Sequence, residues 1–220
     1  MIHRPESAVI DGPAGNIEVV LEAPASAPVG LAVVAHPLPT MGGTMDNKVV
    51  HTIARALVLE GWVAVRFNFR GVGRSEGAWD EGRGEIDDML AVLAQHRIDP
   101  AWRHLPVALA GFSFGGYVAA SAAQRLVEQG QTLQALALVS PAARFGLPAV
   151  PADTLVVQGE VDDVVPLSGL MDSARPQGLP ITVVPGAGHF FHGQLGTLRQ
   201  IVRQYLMAHA PRPSASGPAP

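Results

Sequence analysis

PVALAGFSFGGYVAASAAQRLVE, residues 106–128, decides the fold. Val107–Gly111 is a short continuous apolar run of the kind that fills a buried parallel strand, and Phe114–Glu128 places apolar residues at helical spacing. Gly111-Phe112-Ser113-Phe114-Gly115 joins the two as a G-x-S-x-G turn. On such a strand-to-helix turn the serine is held in a strained backbone conformation that exposes its hydroxyl. The flanking positions are forced together and tolerate no side chains, a demand that Gly111, Gly115 and Gly116 meet. The plainer reading is a glycine-rich turn whose serine caps the helix.

Outward from this joint, short β-branched runs alternate with longer segments of helical period. Strands are predicted at Ile17–Leu21, Leu31–Ala35, Val63–Phe69, Val107–Gly111, Ala135–Val139, Thr154–Gln158 and Ile181–Val184. Helices are predicted at Asp46–Glu60, Arg83–His96, Phe114–Glu128, Leu167–Ala174 and Gln194–Ala208. The pattern is that of an α/β protein with a mostly parallel central sheet and helices on both faces. Two extended runs around a Gly/Pro turn in SAVIDGPAGNIEVVLEAP, residues 7–24, predict an antiparallel N-terminal hairpin at the sheet edge. No linker divides residues 1–210, which read as a single domain. The Pro/Ser/Ala/Gly composition of residues 211–220 predicts a disordered tail.

The composition narrows the chemistry. Of 220 residues 48% are hydrophobic, enough for one well-filled core. A formal net charge of -4 offers no general grip on nucleic acid or anionic lipid, so neither is expected as a partner. No apolar run approaches a membrane span, and the charged, Pro-containing N-terminus does not read as a signal peptide. The absence of cysteine excludes a thiolate nucleophile and a Cys-ligated metal, and fits a cytoplasmic setting. Nucleotide binding fails on the motifs: GVGRSEG has Glu76 at a position where the dinucleotide fingerprint requires Gly, and GGTMDNK has Asn47 where a phosphate loop requires Gly.

A serine at its ordinary pKa is a poor nucleophile and needs a base, which in turn needs an orienting group. After TLVVQG comes Gly159-Glu160-Val161-Asp162-Asp163-Val164-Val165-Pro166, and after ITVVPG comes Gly186-Ala187-Gly188-His189-Phe190-Phe191-His192. The chain order Ser, Asp, His is that of α/β-hydrolases. Five segments carry a resemblance over Leu31–Met207: AHPLPTMGGTMDNKV, VRFNFRGVGRSEG, LAGFSFGGYVA, VVQGEVDDVVP and VPGAGHFFHG. On these the chain resembles the small, lidless bacterial serine α/β-hydrolases with a dienelactone-hydrolase-like core.

The resemblance implies Ser113 as nucleophile, Asp162 as acid and His189 as base. Asp163 falls one place late in the pattern and reads instead as a cap of the helix near Pro166, and His192 as a polar residue at the start of the last helix. The motif assigns one oxyanion donor to the Phe114 N–H. The second is expected after LAVVAHP, where Pro37-Leu38-Pro39 leaves the Leu38 N–H as the only donor of the triplet. His36 reads as holding that loop, Asp46 as capping its helix or acting in chemistry, and Arg70 as part of the supporting loop beside the site. His189 and His192 without neighbouring carboxylates fall short of a catalytic zinc site, and no metal or other cofactor is expected.

Only AARFGLPAVPAD, residues 142–153, separates ALALVSP from TLVVQG, too short for a lid domain. The expected site is open, with Met41, Phe145, Leu147 and Phe190 as lining beside Leu38, and suits a small-molecule ester with a short acyl chain. A homodimer whose second subunit covers the site is the alternative reading of the same loops. Thioesterase or amidase chemistry on the same triad, and a non-catalytic binding scaffold, are the competing functions. A histidine base predicts a rate that falls as pH drops below roughly 6.5.

Overall fold

The computed structural model describes residues 5–210; the tail predicted at 211–220 lies outside the described residues. In chain order the elements are β1 (Glu6–Gly12), β2 (Gly15–Glu22), β3 (Gly30–Ala35), α1 (Lys48–Leu59), β4 (Trp62–Phe67), α2 (Arg83–His96), β5 (Val107–Phe112), α3 (Phe114–Glu128), β6 (Ala135–Val139), β7 (Leu155–Gly159), α4 (Leu167–Ala174), β8 (Thr182–Val184) and α5 (Leu195–Ala208). One eight-stranded sheet has the order β1-β2-β4-β3-β5-β6-β7-β8. The pairs β1–β2 and β2–β4 are antiparallel, so the N-terminal hairpin extends one edge, and every other pair is parallel.

Strand alternation sorts the core into two layers. In β3, Leu31, Val33 and Ala35 face α2 and α3, where they meet Met89, Val118 and Ala122. Ala32 and Val34 point the other way, into the layer that holds Val49 and Ile53 of α1 and Leu198 and Val202 of α5. Both faces are therefore covered, which is why these strands read as unbroken apolar runs.

Several boundaries move by one or two residues from the sequence prediction, and two of these shifts are made by a polar side chain. β4 ends at Phe67 rather than Phe69, because Asn68 accepts from Met45 N (2.9 Å) and donates to Glu18 (2.8 Å), while Phe69 N donates to His36 Nε2 (3.0 Å). α1 begins at Lys48 rather than Asp46, because Asn47 is the cap and its side chain accepts from Val49 N at 2.8 Å.

The strand order reverses direction at β3. From β3 the chain crosses to β4 on one side, and from β5 to β6 on the other, so the loops leaving β3 and β5 diverge above the sheet. A crevice at the carboxyl ends of the strands follows from that divergence. Between β6 and β7 there is only one short 3-10 turn, Ala143–Phe145, and no lid is inserted there.

Candidate active site

Ser113 stands where β5 becomes α3, with φ 56° and ψ -118°. This conformation is sparsely populated for a residue with a side chain and costs on the order of 1–3 kcal/mol. Its surroundings enforce it. Ser113 N–H donates to Val139 O (2.9 Å), and Ser113 O accepts from Gly116 N (2.9 Å) and Ala142 N (3.0 Å). A Cβ on Gly111 would fall on the Gly115 carbonyl, and one on Gly115 would fall on the Ala35 carbonyl. These two absent side chains let the start of α3 press against the end of β3 and bring Ser113 to the loop after it.

Asp162 and His189 reach Ser113 from the loops after β7 and β8. Those loops are tied together by Glu160 N to Val184 O (3.0 Å), Val161 N to Ala187 O (3.0 Å) and Gly186 N to Glu160 Oε2 (2.8 Å). His189 Nδ1 lies 2.8 Å from Asp162 Oδ2, and Nε2 lies 3.0 Å from Ser113 Oγ. A carboxylate only accepts, so the proton sits on Nδ1 and the Nε2 lone pair faces the hydroxyl. All three side chains are buried.

The carboxylate is held on both oxygens. Oδ1 accepts from Val164 N (3.0 Å) and Val165 N (2.7 Å); Oδ2 also accepts from Gln158 Nε2 (3.0 Å). Burial alone pushes the Asp162 carboxyl up. The His189 hydrogen bond, the Val165 N–H, the imidazole's charge and the nearby Ser140 hydroxyl outweigh it and hold the group below its ordinary value. Gln158 was not among the sequence candidates. Its signal is present, however: it is the one polar residue of the strand LVVQG, four positions before the acid.

On the β3 side, neither Leu38 N–H nor Phe114 N–H has a hydrogen-bond partner among the described residues. The Phe114 N–H is one of the free donors at a helix N-terminus. Leu38 O is occupied by Met41 N (3.1 Å) and Gly43 N (3.0 Å), which fixes the turn that presents its N–H. His36 anchors this loop. Its Nε2 accepts from Phe69 N, so Nδ1–H donates to Pro37 O at 2.6 Å.

Burial pushes the His36 imidazolium down to about 4. An unfolded chain binds a proton there near 6.5 and the folded chain does not, so stability is full above that value and is lost as pH falls toward 4. The loss is on the order of 3 kcal/mol. Thermal melts of wild type and His36→Gln at pH 7 and pH 5 are expected to show a smaller acid-induced loss in the variant; equal losses would contradict this role.

Leu38, Ser113, Phe114 and His189 all line one cavity of about 840 Å³, together with Met41 and Phe190. Phe145 and Leu147, expected in that lining, are not there. The 3-10 turn directs the Phe145 ring onto Tyr117 (5.1 Å) and edge-on to Phe114 (5.6 Å), and Leu147 packs on the core. Their places are taken by Ala142, Ala143 and Arg144.

Other candidates stand apart. Asp163 and His192 are exposed, and α4 has no side-chain cap, so Asp163 does not cap it; His192 precedes α5 by three residues. Asp46 neither caps α1 nor lines the cavity, and meets Arg66 and His51 at 3.4 Å. Arg70 ties its loop to α2 through Asp88 (2.7 Å). Both nitrogens of His189 are engaged, and no group of three metal-binding side chains comes together among the described residues.

A strand-to-helix serine, a buried histidine and a carboxylate at the carboxyl ends of a parallel sheet without a lid define a small serine α/β-hydrolase. The comparisons with known proteins agree. Residues 33–171 match the family model described as serine aminopeptidase, S33, and the chain belongs to that family. It is similar to the lidless α/β serine hydrolase XC6422 of Xanthomonas campestris, with 37% identity, 96% of this chain and 97% of that one covered, and a TM-score of 0.86. An α/β serine hydrolase homologue from Coxiella burnetii is 38% identical over 91% of this chain and 97% of its own, with a TM-score of 0.80. The uncharacterized protein RP471 of Rickettsia prowazekii is 31% identical, covering 90% of this chain and 87% of its own. Among the described residues no helix is long and apolar enough to cross a membrane.

Proposed function

We propose that the protein is a cytoplasmic carboxylesterase that hydrolyses small or short-chain acyl esters through Ser113, His189 and Asp162. The observation that carries this reading is the unbroken hydrogen-bond relay from Ser113 Oγ to His189 (3.0 Å) and on to Asp162 (2.8 Å). His189 Nε2 takes the hydroxyl proton as Oγ attacks the ester carbonyl carbon. Negative charge collects on the carbonyl oxygen, where the Phe114 and Leu38 N–H groups are free to receive it. As the intermediate collapses, the C–O bond to the alcohol breaks and His189 returns the proton to the leaving oxygen. Water repeats the sequence on the acyl-enzyme and releases the acid. Asp162 stays ionised throughout and stabilises the imidazolium.

The lining favours esters over the peptides that the family description suggests. An aminopeptidase must hold the substrate's free ammonium group, for which a carboxylate is the natural partner, and no Asp or Glu lines the cavity among the described residues. The open mouth, with Met41 and Phe190 both exposed, supports a short acyl group rather than a buried long chain. A series of p-nitrophenyl esters and acyl-CoA thioesters of rising chain length tests this. The highest kcat/KM is expected on short-chain oxygen esters; an optimum at long chains, or a preference for thioesters, would overturn the assignment.

A further inference from the structure

Arg144 is the one residue of fixed charge in the lining of the catalytic cavity among the described residues. Arg70, Arg125 and Arg175 each pair with an aspartate, whereas Arg144 makes neither an ion pair nor a side-chain hydrogen bond among those residues. Its guanidinium instead lies 4.8 Å over the ring of Phe145. That ring is stacked on Tyr117 and set edge-on to Phe114, the residue whose N–H faces the oxyanion. The cation is thus seated on an aromatic platform that lies behind the cavity and reaches it through Phe114, with its five donors free.

Arg144 is also tied to the nucleophile through the backbone. Ala142 N donates to Ser113 O at 3.0 Å, and Phe145 N donates to Ala142 O at 3.2 Å, so the turn bearing Arg144 is hydrogen-bonded directly to the Ser113 backbone. Arg144 lies two positions after Ala142, a Cα span of at most about 7 Å. With the oxyanion directed at Leu38 and Phe114, and the leaving oxygen at His189, the acyl chain is left the walls built by residues 40–43, 142–144 and 164–166. Met41, Val164, Val165 and Pro166 make those walls apolar, and Arg144 adds the single positive charge.

We infer that Arg144 selects acyl groups ending in a carboxylate, so that the preferred substrates are half-esters of short dicarboxylic acids. This rests on the ester-hydrolase reading above and narrows its substrate class. A planar guanidinium binds a carboxylate through two parallel N–H···O bonds, and the methylene chain between carboxylate and scissile carbonyl packs on the apolar wall.

The test compares the p-nitrophenyl half-ester of adipic acid with p-nitrophenyl hexanoate, which has the same number of carbons and a methyl in place of the carboxylate. Both are assayed with wild type, Arg144→Gln and Arg144→Lys, after subtraction of the uncatalysed rate. The readout is the ratio of kcat/KM for the anionic ester over the neutral one. Arg144→Gln is expected to lower that ratio about tenfold, the scale of a partly exposed charge-assisted pair, and Arg144→Lys to lower it less. In wild type the ratio is expected to fall as salt is added, since the pair is open to solvent. A ratio that does not change on Arg144→Gln would overturn the role of Arg144 while leaving the esterase reading standing. Absence of turnover on both esters by wild type would overturn the esterase reading, and this proposal with it.

Discussion

Ser113→Ala is expected to lower kcat on p-nitrophenyl esters by about 10⁴- to 10⁶-fold, with a far smaller effect on binding. The variant loses the atom that forms the acyl-enzyme and retains the oxyanion donors, which account for the residual rate over water. The fold is expected to survive. Alanine tolerates the φ of 56° no worse than serine does, and the backbone bonds of Ser113 to Val139, Gly116 and Ala142 do not involve the hydroxyl. His189 Nε2 loses its Ser113 partner but borders the open cavity, where water replaces the hydroxyl. Stability within about 1 kcal/mol of wild type by thermal melt, together with lost turnover, is the expected pair of results. Turnover close to wild type would refute the nucleophile.

Asp162→Asn is expected to cost about 10⁴-fold in kcat, and the hydrogen-bond pattern gives the reason. Oδ1 of the native carboxylate accepts from two backbone N–H groups that cannot move, so the carbonyl oxygen of an asparagine is pinned there. The amide NH₂ must then face His189 Nδ1, where a donor meets a donor. The imidazole escapes by shifting its proton to Nε2, which then points an N–H at Ser113 Oγ and has no lone pair to accept the hydroxyl proton. Gln158 Nε2 also donates to Val165 O at 2.6 Å, so turning its amide to accept from the new NH₂ gives up that bond and costs the variant some stability. Kinetics and a thermal melt of this variant separate the roles: a large loss of kcat in a protein that is still folded, with a melt lowered by the one lost buried hydrogen bond, is expected, and a rate within a few-fold of wild type would remove Asp162 from the mechanism.

The joint at residues 106–128 was legible because it combines local signals that agree: an apolar strand, a helix-period run and glycines at the positions where Cβ atoms would collide. The same holds for the loops bearing Asp162 and His189, each following a short apolar strand. Where sequence reasoning failed, the deciding contact lay far away along the chain. β4 ends early because Phe69 N–H bonds His36, 33 residues away in sequence. Asn47 rather than Asp46 caps α1, and both residues have the right chemistry for it, so composition alone does not choose. Phe145 and Leu147 have the side chains of pocket residues and of core residues alike. A single 3-10 turn sends them to the core and leaves Arg144 at the cavity. Arg144 itself carried no signal, since an arginine in a loop reads as a solvated charge until its neighbours are known.

The site also explains why one strained residue is retained at the end of β5. The φ of Ser113 places Oγ where His189 reaches it and leaves the Phe114 N–H unpaired on the same cavity. Nucleophile and oxyanion donor are positioned by one turn of backbone, and the absence of side chains at Gly111 and Gly115 is what allows the turn to close.

Covalent labelling by a fluorophosphonate probe tests the central claim most directly, because the probe reacts with a serine only when that serine is activated by its base. Intact-mass and peptide-mapping measurements on wild type are expected to show one equivalent of probe, attached to Ser113, and no labelling of Ser113→Ala. Wild-type protein that stays unlabelled, or a Ser113→Ala variant that is labelled as fast as wild type, would contradict the account and leave the fold as a binding scaffold.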